Sequence, residues 1–365
     1  MDITKLFEYI DNQLFENLFV LHPEYAVNGK VSDDIDTEIA LSKTKVVICV
    51  DRNVLSRLLA AVKKGFFSGN DREEITAFLV WLAKNNYGLC PYDALREQAF
   101  VMQDNISGNK EDDLFNYLFS DISMDTIIKS FFYEGISFQA KRYDEALDNV
   151  GLDFCAETPD YLFLYATMLH FVYILRTVRN KDEQFEKIIK WYFSECLISV
   201  YALTYMTLYY TKRGITPPHK YTDNGNAILG CKNEAMDLLY LQSLDPRRYP
   251  SNKYTLMVAT HDKLLKEIFE TVNDVSRYSD LSSYFNLLCT DMSEQKKNSY
   301  VQILEDAYEK HKYIGVNQQN ESSPNLCVNS SSSYVSPSML PLSLGDLIEW
   351  SLVCHSTLSY QKFCD

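Results

Sequence analysis

Two short apolar runs constrain the fold of this chain more than any other feature. The first, KVVICV, ends immediately before Asp51, and the second, YTLMVAT, is followed by His261 and Asp262. Short runs rich in β-branched residues are typical of buried strands. Each run leads into a segment with helical periodicity, as does a third predicted strand at residues 87–90. The alternation predicts an α/β fold in which a parallel sheet is flanked by helices.

Long helical patterns interrupt this alternation and predict a divided domain. Surface insertions cost little conformational entropy, so one α/β domain can be split by a helical insertion. Two very apolar stretches, 161–175 and 197–210, are shorter than the roughly 20 residues of a membrane span and are predicted to be buried helices. The predicted parts are an N-terminal helix and connection (1–40), the first part of the α/β domain (41–110), the helical insertion (111–215, with a helix over 138–150), the second part of the α/β domain (226–280), C-terminal helices (281–315), a flexible linker (316–340) and a C-terminal helix (341–365).

The composition limits the partners of the protein. Its formal net charge of -15 is opposite to that of generic duplex-binding proteins and disfavours adsorption to anionic membranes. Any contact with nucleic acid must therefore be local or bridged by cations. The nine cysteines have irregular spacing, which is typical of reduced thiols in a cytoplasmic protein. Cys49 and Cys90 fall in predicted strands and are interpreted as core residues.

Four acidic residues occupy distinctive positions in this pattern. Asp51 and Asp262 follow strands, Glu97 lies in the helix after the second strand, and Asp237 lies in the helix before the last strand. Because ligand sites of open parallel sheets form at the carboxyl ends of strands, Asp51 and Asp262 are expected at one edge. Carboxylate oxygens are the ligands of hard cations such as Mg²⁺. Without a cation, two such charges about 4 Å apart repel by about 4 kcal/mol at an effective dielectric of about 20.

Four segments resemble, in order, the acidic motifs of PIN-domain nucleases: VVICVDRNVL, ALREQAF, NEAMDLLYLQSL and TLMVATHDKLL. The resemblance covers residues 43–103 and 226–272, and the interval between its second and third acids is much longer than in a compact PIN domain. It implies a PIN-like sheet and the catalytic, metal-binding residues Asp51, Glu97, Asp237 and Asp262. Asn53 and Thr260 match accessory polar positions. Glu234, three residues before Asp237, is either a fifth acid of the site or its true third one.

The resemblance implies a Mg²⁺- or Mn²⁺-dependent endonuclease, with single-stranded RNA rather than duplex as substrate. Its products would carry a 5′-phosphate and a 3′-hydroxyl. Arg247 and Arg248, in the loop before the last strand, are the candidate phosphate contacts. His261 either contacts substrate or is an ordinary exposed histidine.

Each acid also has a simpler interpretation. Asp51 and Asp262 precede helices and can serve as N-caps, while Glu97 and Asp237 can be solvated charges on helix faces. The competing function is a catalytically inactive PIN-like protein that binds another protein through the helical insertion or the C-terminal helix. Convergence of all four acids within metal-bridging range favours the enzyme, and their dispersal favours the interaction protein.

Overall fold

Four strands form the main sheet of this mixed α/β protein. The computed structural model describes residues 2–23, 26–27, 30–31, 45–69, 71–147, 152–196, 199–212, 215–244, 254–276 and 281–321. The strands are β1 (Phe19–Leu21), β2 (Ala26–Val27), β3 (Lys30–Val31), β4 (Lys45–Val50), β5 (Gly88–Cys90) and β6 (Tyr254–Thr260). The main sheet has the order β1-β6-β4-β5, and β2 and β3 form a separate antiparallel pair.

The three predicted strands β4, β5 and β6 are present and parallel. The edge strand β1, however, pairs antiparallel with β6, so the sheet is mixed rather than wholly parallel. β1 was not predicted because Leu6, Ile10, Leu14 and Leu18 continue a helical spacing up to it. The first helix in fact ends at Asn12, and a short 3-10 turn separates it from β1. All three residues of β1 are buried.

Contacts divide the chain into two units. The first comprises Met1–Tyr161 and Asn233–Glu270, and the second comprises Leu162–Lys232 and the chain from Thr271 onward. The helices, in chain order, are α1 (Ile3–Asn12), α2 (Arg52–Lys64), α3 (Arg72–Lys84), α4 (Tyr92–Met102), α5 (Asn105–Ser120), α6 (Met124–Phe132), α7 (Pro159–Thr177), α8 (Lys181–Glu195), α9 (Val200–Thr211), α10 (Asn224–Gln242), α11 (Lys263–Ser276), α12 (Leu281–Leu288) and α13 (Glu294–Glu321).

The first unit contains the sheet and a single apolar core. Ile48 and Val50 of β4 are fully buried, and Leu114 of α5 and Ile127 of α6 belong to the same core. The predicted insertion began at residue 111, whereas α5 and α6 belong to the unit that contains the sheet. Their helical pattern resembles that of an insertion, but their apolar faces complete the core of the α/β unit.

The regular elements in the described part of the second unit are all helices. Phe185 of α8 stacks on Tyr300 of α13 with ring centroids 4.0 Å apart, and Thr204 of α9 hydrogen-bonds Tyr284 of α12. Residues 281–315 were predicted as a separate C-terminal part. The structure instead packs them with α8 and α9, because their aromatic side chains fill the core of that unit.

The helix predicted over residues 138–150 is not formed in the described residues up to 147. Its first residues bind the end of α2 instead: the Phe138 N–H donates to the Gly65 carbonyl (2.8 Å) and the Lys141 N–H donates to the Val62 carbonyl (3.2 Å). These tertiary hydrogen bonds outweigh the local helical preference of the segment.

We expect Gly65→Ala to destabilise the protein more than Gly135→Ala does. Both glycines have left-handed backbones, with φ of +75° and +76°. That conformation costs a side-chain-bearing residue roughly 1–2 kcal/mol. At Gly65 an added Cβ would also lie 2.8 Å from the Phe138 carbonyl oxygen, whereas at Gly135 it would meet no atom within 4 Å. Urea unfolding of both variants measures the difference, and equal losses would contradict this prediction.

Both very apolar stretches form helices, α7 and α9, and almost every residue of α9 is buried. Across the part of the chain that the structure describes, every helix is too short or too polar to span a bilayer. The predicted linker begins inside α13, which continues to Glu321. The rest of that linker and the predicted C-terminal helix lie outside the described residues.

Candidate active site

Asp51 lies at the carboxyl end of β4 and is almost completely buried, with 2% of its surface exposed. One carboxylate oxygen caps α2 by accepting a hydrogen bond from the Val54 N–H (2.8 Å). The other accepts a hydrogen bond from the Thr260 hydroxyl. Burial raises the pKa of Asp51, and these two hydrogen bonds oppose that shift. The N-cap interpretation of Asp51 is therefore confirmed. The second carboxylate oxygen, which does not cap the helix, lies at the edge of the sheet.

Thr260 connects the two strand-end acids. The register of β4 and β6 pairs Val50 with Ala259, which brings the next residues, Asp51 and Thr260, side by side. The fully buried Thr260 hydroxyl donates to Asp51 and accepts from the Asp262 N–H (2.8 Å). Asp262 in turn accepts from the Leu264 N–H (2.6 Å) at the start of α11. Thr260, predicted as an accessory residue, therefore fixes the backbone that presents Asp262 next to Asp51.

Glu97 projects from α4 and is mostly buried. The Tyr240 hydroxyl donates a hydrogen bond to its carboxylate (3.1 Å). Burial raises the pKa of Glu97 to about 7, with the Asp51 charge adding to the shift and Tyr240 and Arg52 opposing it. Glu97 is thus not the solvated surface charge of its simpler interpretation, and it changes protonation near neutral pH.

Asp237 on α10 lies within the electrostatic range of all the other candidate acids. Burial raises its pKa well above the ordinary range, and repulsion from four neighbouring carboxylates raises it further. In order of strength, these neighbours are Glu234, Glu97, Asp262 and Asp51. Asp237 is thus the acid on which the other four act electrostatically, and we call these five residues the acid cluster. Its members come from β4, α4, α10 and the end of β6.

The acid cluster does not include every predicted residue. Asn53 is exposed on the first turn of α2, and Arg247 and Arg248 lie outside the described residues. Within the described ranges, no three His, Cys, Asp or Glu side chains are close enough together to form a ready metal site. The donors of the acid cluster are all oxygen atoms, so they match Mg²⁺ and Mn²⁺ in chemistry and in charge. Binding through three of them would require side-chain rotation.

A second polar group borders the acid cluster and was not predicted. His261 contacts Glu74 of α3 through Nε2 (2.6 Å), and Arg57 of α2 contacts the same carboxylate oxygen (3.1 Å). Only 11% of the His261 side chain is exposed, so the prediction of an ordinary exposed histidine was wrong. The electrostatic interaction with His261 also favours the ionised form of Asp51. Glu74 and His261 are 187 residues apart, and no local sequence signal connects them.

Tyr240 and Arg52 were missed as well. Tyr240 lies three residues after Asp237 on α10, on the same helix face. Arg52 follows Asp51, pairs with Glu111 of α5, and favours the ionised form of Glu97. The position of Arg52 directly after the strand-end acid was the one available signal for it.

Comparison of the chain with protein-family models, with curated proteins and with solved structures finds no match.

We expect Thr260→Val to cost about 1–3 kcal/mol of unfolding free energy, since it leaves the buried Asp51 oxygen and the Asp262 N–H without their shared partner. Thr76→Val is the matched control. Thr76 is equally buried, but its hydroxyl bonds the Arg72 carbonyl of its own helix (2.6 Å). Chemical denaturation compares the two variants, and a similar loss in both would show that Thr260 has no special role.

Proposed function

We propose that this protein is a metal-dependent endonuclease of the PIN type that cleaves single-stranded RNA. The observation that carries the proposal is the acid cluster, in which the charges of four other carboxylates raise the pKa of Asp237 near the carboxyl end of parallel strands. Without cations, repulsion within such a concentration of negative charge raises the free energy of the folded protein. Residues with strongly perturbed pKa values at one position in a fold are candidates for a functional site.

Asp51, Glu97, Asp237 and Asp262 are the residues that would hold Mg²⁺ or Mn²⁺, with Glu234 as the alternative third acid. A divalent cation supplies charge neutralisation and water activation in phosphodiester hydrolysis. The protein contributes rigid positioning. Asp51 is held by Val54 and Thr260, and Asp262 is held by Thr260 and Leu264.

Glu97 can contribute to proton transfer because its pKa of about 7 lies near the working pH of a cytoplasmic enzyme. The Tyr240 hydroxyl fixes one of its oxygens. Binding of a cation beside Glu97 would favour the ionised carboxylate and lower this pKa. The residue therefore links proton release to the assembly of the site.

Substrate binding must overcome the net charge of -15 of the chain. We propose that the loop residues Arg247 and Arg248 contact the phosphates next to the scissile bond. Local contacts of this kind suit a single strand, whose backbone can approach the acid cluster without a wide basic surface.

The test is incubation of the purified protein with Mn²⁺ and end-labelled single-stranded RNA. We expect cleavage that requires the metal and leaves 5′-phosphate and 3′-hydroxyl ends. A 2′,3′-cyclic phosphate would instead indicate metal-free attack by the ribose hydroxyl. An equimolar single-stranded DNA of the same sequence tests the preference for RNA.

The second candidate function is a catalytically inactive PIN-like protein that binds another protein. It is favoured by the capping roles of Asp51 and Asp262 and by the need for side-chain rotation before three acids can share a cation. This function would be supported if no metal-dependent cleavage were detected and if an Asp51→Asn variant bound the same protein partners as the wild type.

A further inference from the structure

Two cysteines face each other across the strands next to the acid cluster. Cys49 of β4 and Cys90 of β5 form the last pair of their parallel ladder. The register places their Cα atoms directly opposite each other. Cys49 is buried and Cys90 is partly exposed. The pair thus consists of an inner thiol and an outer thiol on neighbouring strands.

We propose that Cys49 and Cys90 form an oxidisable dithiol, in which Cys90 is the thiol attacked by hydroperoxides and Cys49 is the thiol that resolves it into a disulfide. Paired residues of neighbouring strands lie about 4.7–4.9 Å apart, within the Cα separation of about 4.4–6.8 Å that disulfides require. Because this pair is the last of the ladder and β5 ends at Cys90, small backbone adjustments do not break later pairs.

The surroundings of Cys90 favour its reactive form. The neighbouring Cys49 thiol and the backbone at Tyr92, the start of α4, lower the pKa of Cys90 to about 7 against the opposing effect of burial. The thiolate is the nucleophile in peroxide and disulfide chemistry. Cys155, a partly exposed cysteine of the same unit, provides the comparison, since burial raises its pKa and acidic neighbours reinforce the shift.

The reaction balances with a hydroperoxide as the oxidant. The Cys90 thiolate attacks one oxygen of hydrogen peroxide, the O–O bond breaks, and hydroxide leaves, so that Cys90 becomes a sulfenic acid. The Cys49 sulfur then attacks the Cys90 sulfur and displaces hydroxide, which takes up the Cys49 proton and departs as water. The two thiols lose two electrons in total, and the peroxide is reduced to two waters.

The test is mass spectrometry of the full-length protein after one equivalent of hydrogen peroxide and alkylation of the remaining thiols. Trypsin should release residues 46–52 (VVICVDR) and 85–96 (NNYGLCPYDALR) as one linked peptide, two hydrogens lighter than the separate pair. Dithiothreitol should separate them. Cys155 should be recovered as the alkylated thiol.

Cys49→Ser removes the resolving thiol and keeps nearly the same shape. In that variant we expect dimedone to trap a sulfenic acid on Cys90, which it should not do in the wild type. Over-oxidation of wild-type Cys90 to a sulfinic acid without the linked peptide would overturn the proposal, as would pairing of Cys90 with other cysteines. The wild-type peptide map decides the question even if the variant fails to fold, and it does not depend on any nuclease activity.

Discussion

Under the proposed function, the Asp51→Asn variant is expected to cleave RNA at least about 100-fold more slowly than the wild type, because removing one ligand charge from a catalytic metal site costs several kcal/mol and each 1.36 kcal/mol is a factor of ten in rate. The amide retains an oxygen that can cap α2, so folding should survive. Relief of repulsion with Asp237 acts in the stabilising direction. Initial rates at saturating Mn²⁺, with circular dichroism of the same samples, measure both effects.

Asp104→Asn is the matched control for this variant. Asp104 caps α5 just as Asp51 caps α2, by accepting a hydrogen bond from the N–H three residues later (2.6 Å). It is not among the groups that perturb Asp237. The control should keep wild-type cleavage. Cleavage that persists in Asp51→Asn, or in the presence of a chelator, would instead favour the interaction protein.

The metal-free protein is expected to lose stability as the pH rises from about 4.5 to about 7. The pKa of Glu97 moves from an ordinary value of 4.5 to about 7 in the folded state. Over this range the folded state keeps a proton that the unfolded state has released, so the stabilisation present below pH 4.5 is lost as the pH rises through 7. For Glu97 alone, the decrease in the free energy of unfolding is on the order of 3 kcal/mol. The raised pKa of Asp237 acts in the same direction.

Glu97→Gln removes this contribution, together with the repulsion that Glu97 exerts on Asp237, and both changes reduce the pH-dependent loss. Thermal unfolding in chelator at pH 5 and pH 8 should show a smaller pH-dependent loss for the variant. Adding Mn²⁺ at 100 times the dissociation constant that holds at pH 8 should stabilise the wild type by about 2.7 kcal/mol at pH 8, and by less at pH 5. The same pH slope in both proteins would mean that Glu97 ionises normally.

Local patterns in the sequence were sufficient to predict the strands that carry the site. β4 and β6 are buried runs followed directly by helices, so their ends, with Asp51 and Asp262, could be located from the sequence alone. The short strand β1 has no such pattern, because its three residues continue the apolar spacing of α1. The segment after Ser137 was predicted as a helix because its tertiary hydrogen bonds to α2 leave no trace in local periodicity.

The partners of the acids were harder to predict than the acids themselves. Tyr240 reaches Glu97 across 143 residues of sequence, and Glu74 reaches His261 across 187. Such pairs are created only when α3, α4 and α10 are packed around the sheet. The pKa of Glu97 likewise depends on burial and on neighbouring charges from other elements. A single sequence carries no direct record of these contacts.

The pairing of β4 with β6 has a consequence for how the protein is made. Asp51 and Thr260, which meet at the end of this pair, are 209 residues apart. At a synthesis rate of about 5–20 residues per second, β6 is synthesised roughly 10–40 s after β4. Until then, the edge of β4 that pairs with β6 has no partner strand. During that time an apolar strand with unpaired backbone groups is available to other nascent chains. Emergence of β6 from the ribosome, rather than emergence of the first half of the sequence, should therefore be the point at which the sheet closes, and chaperones that shield extended segments should raise the soluble yield.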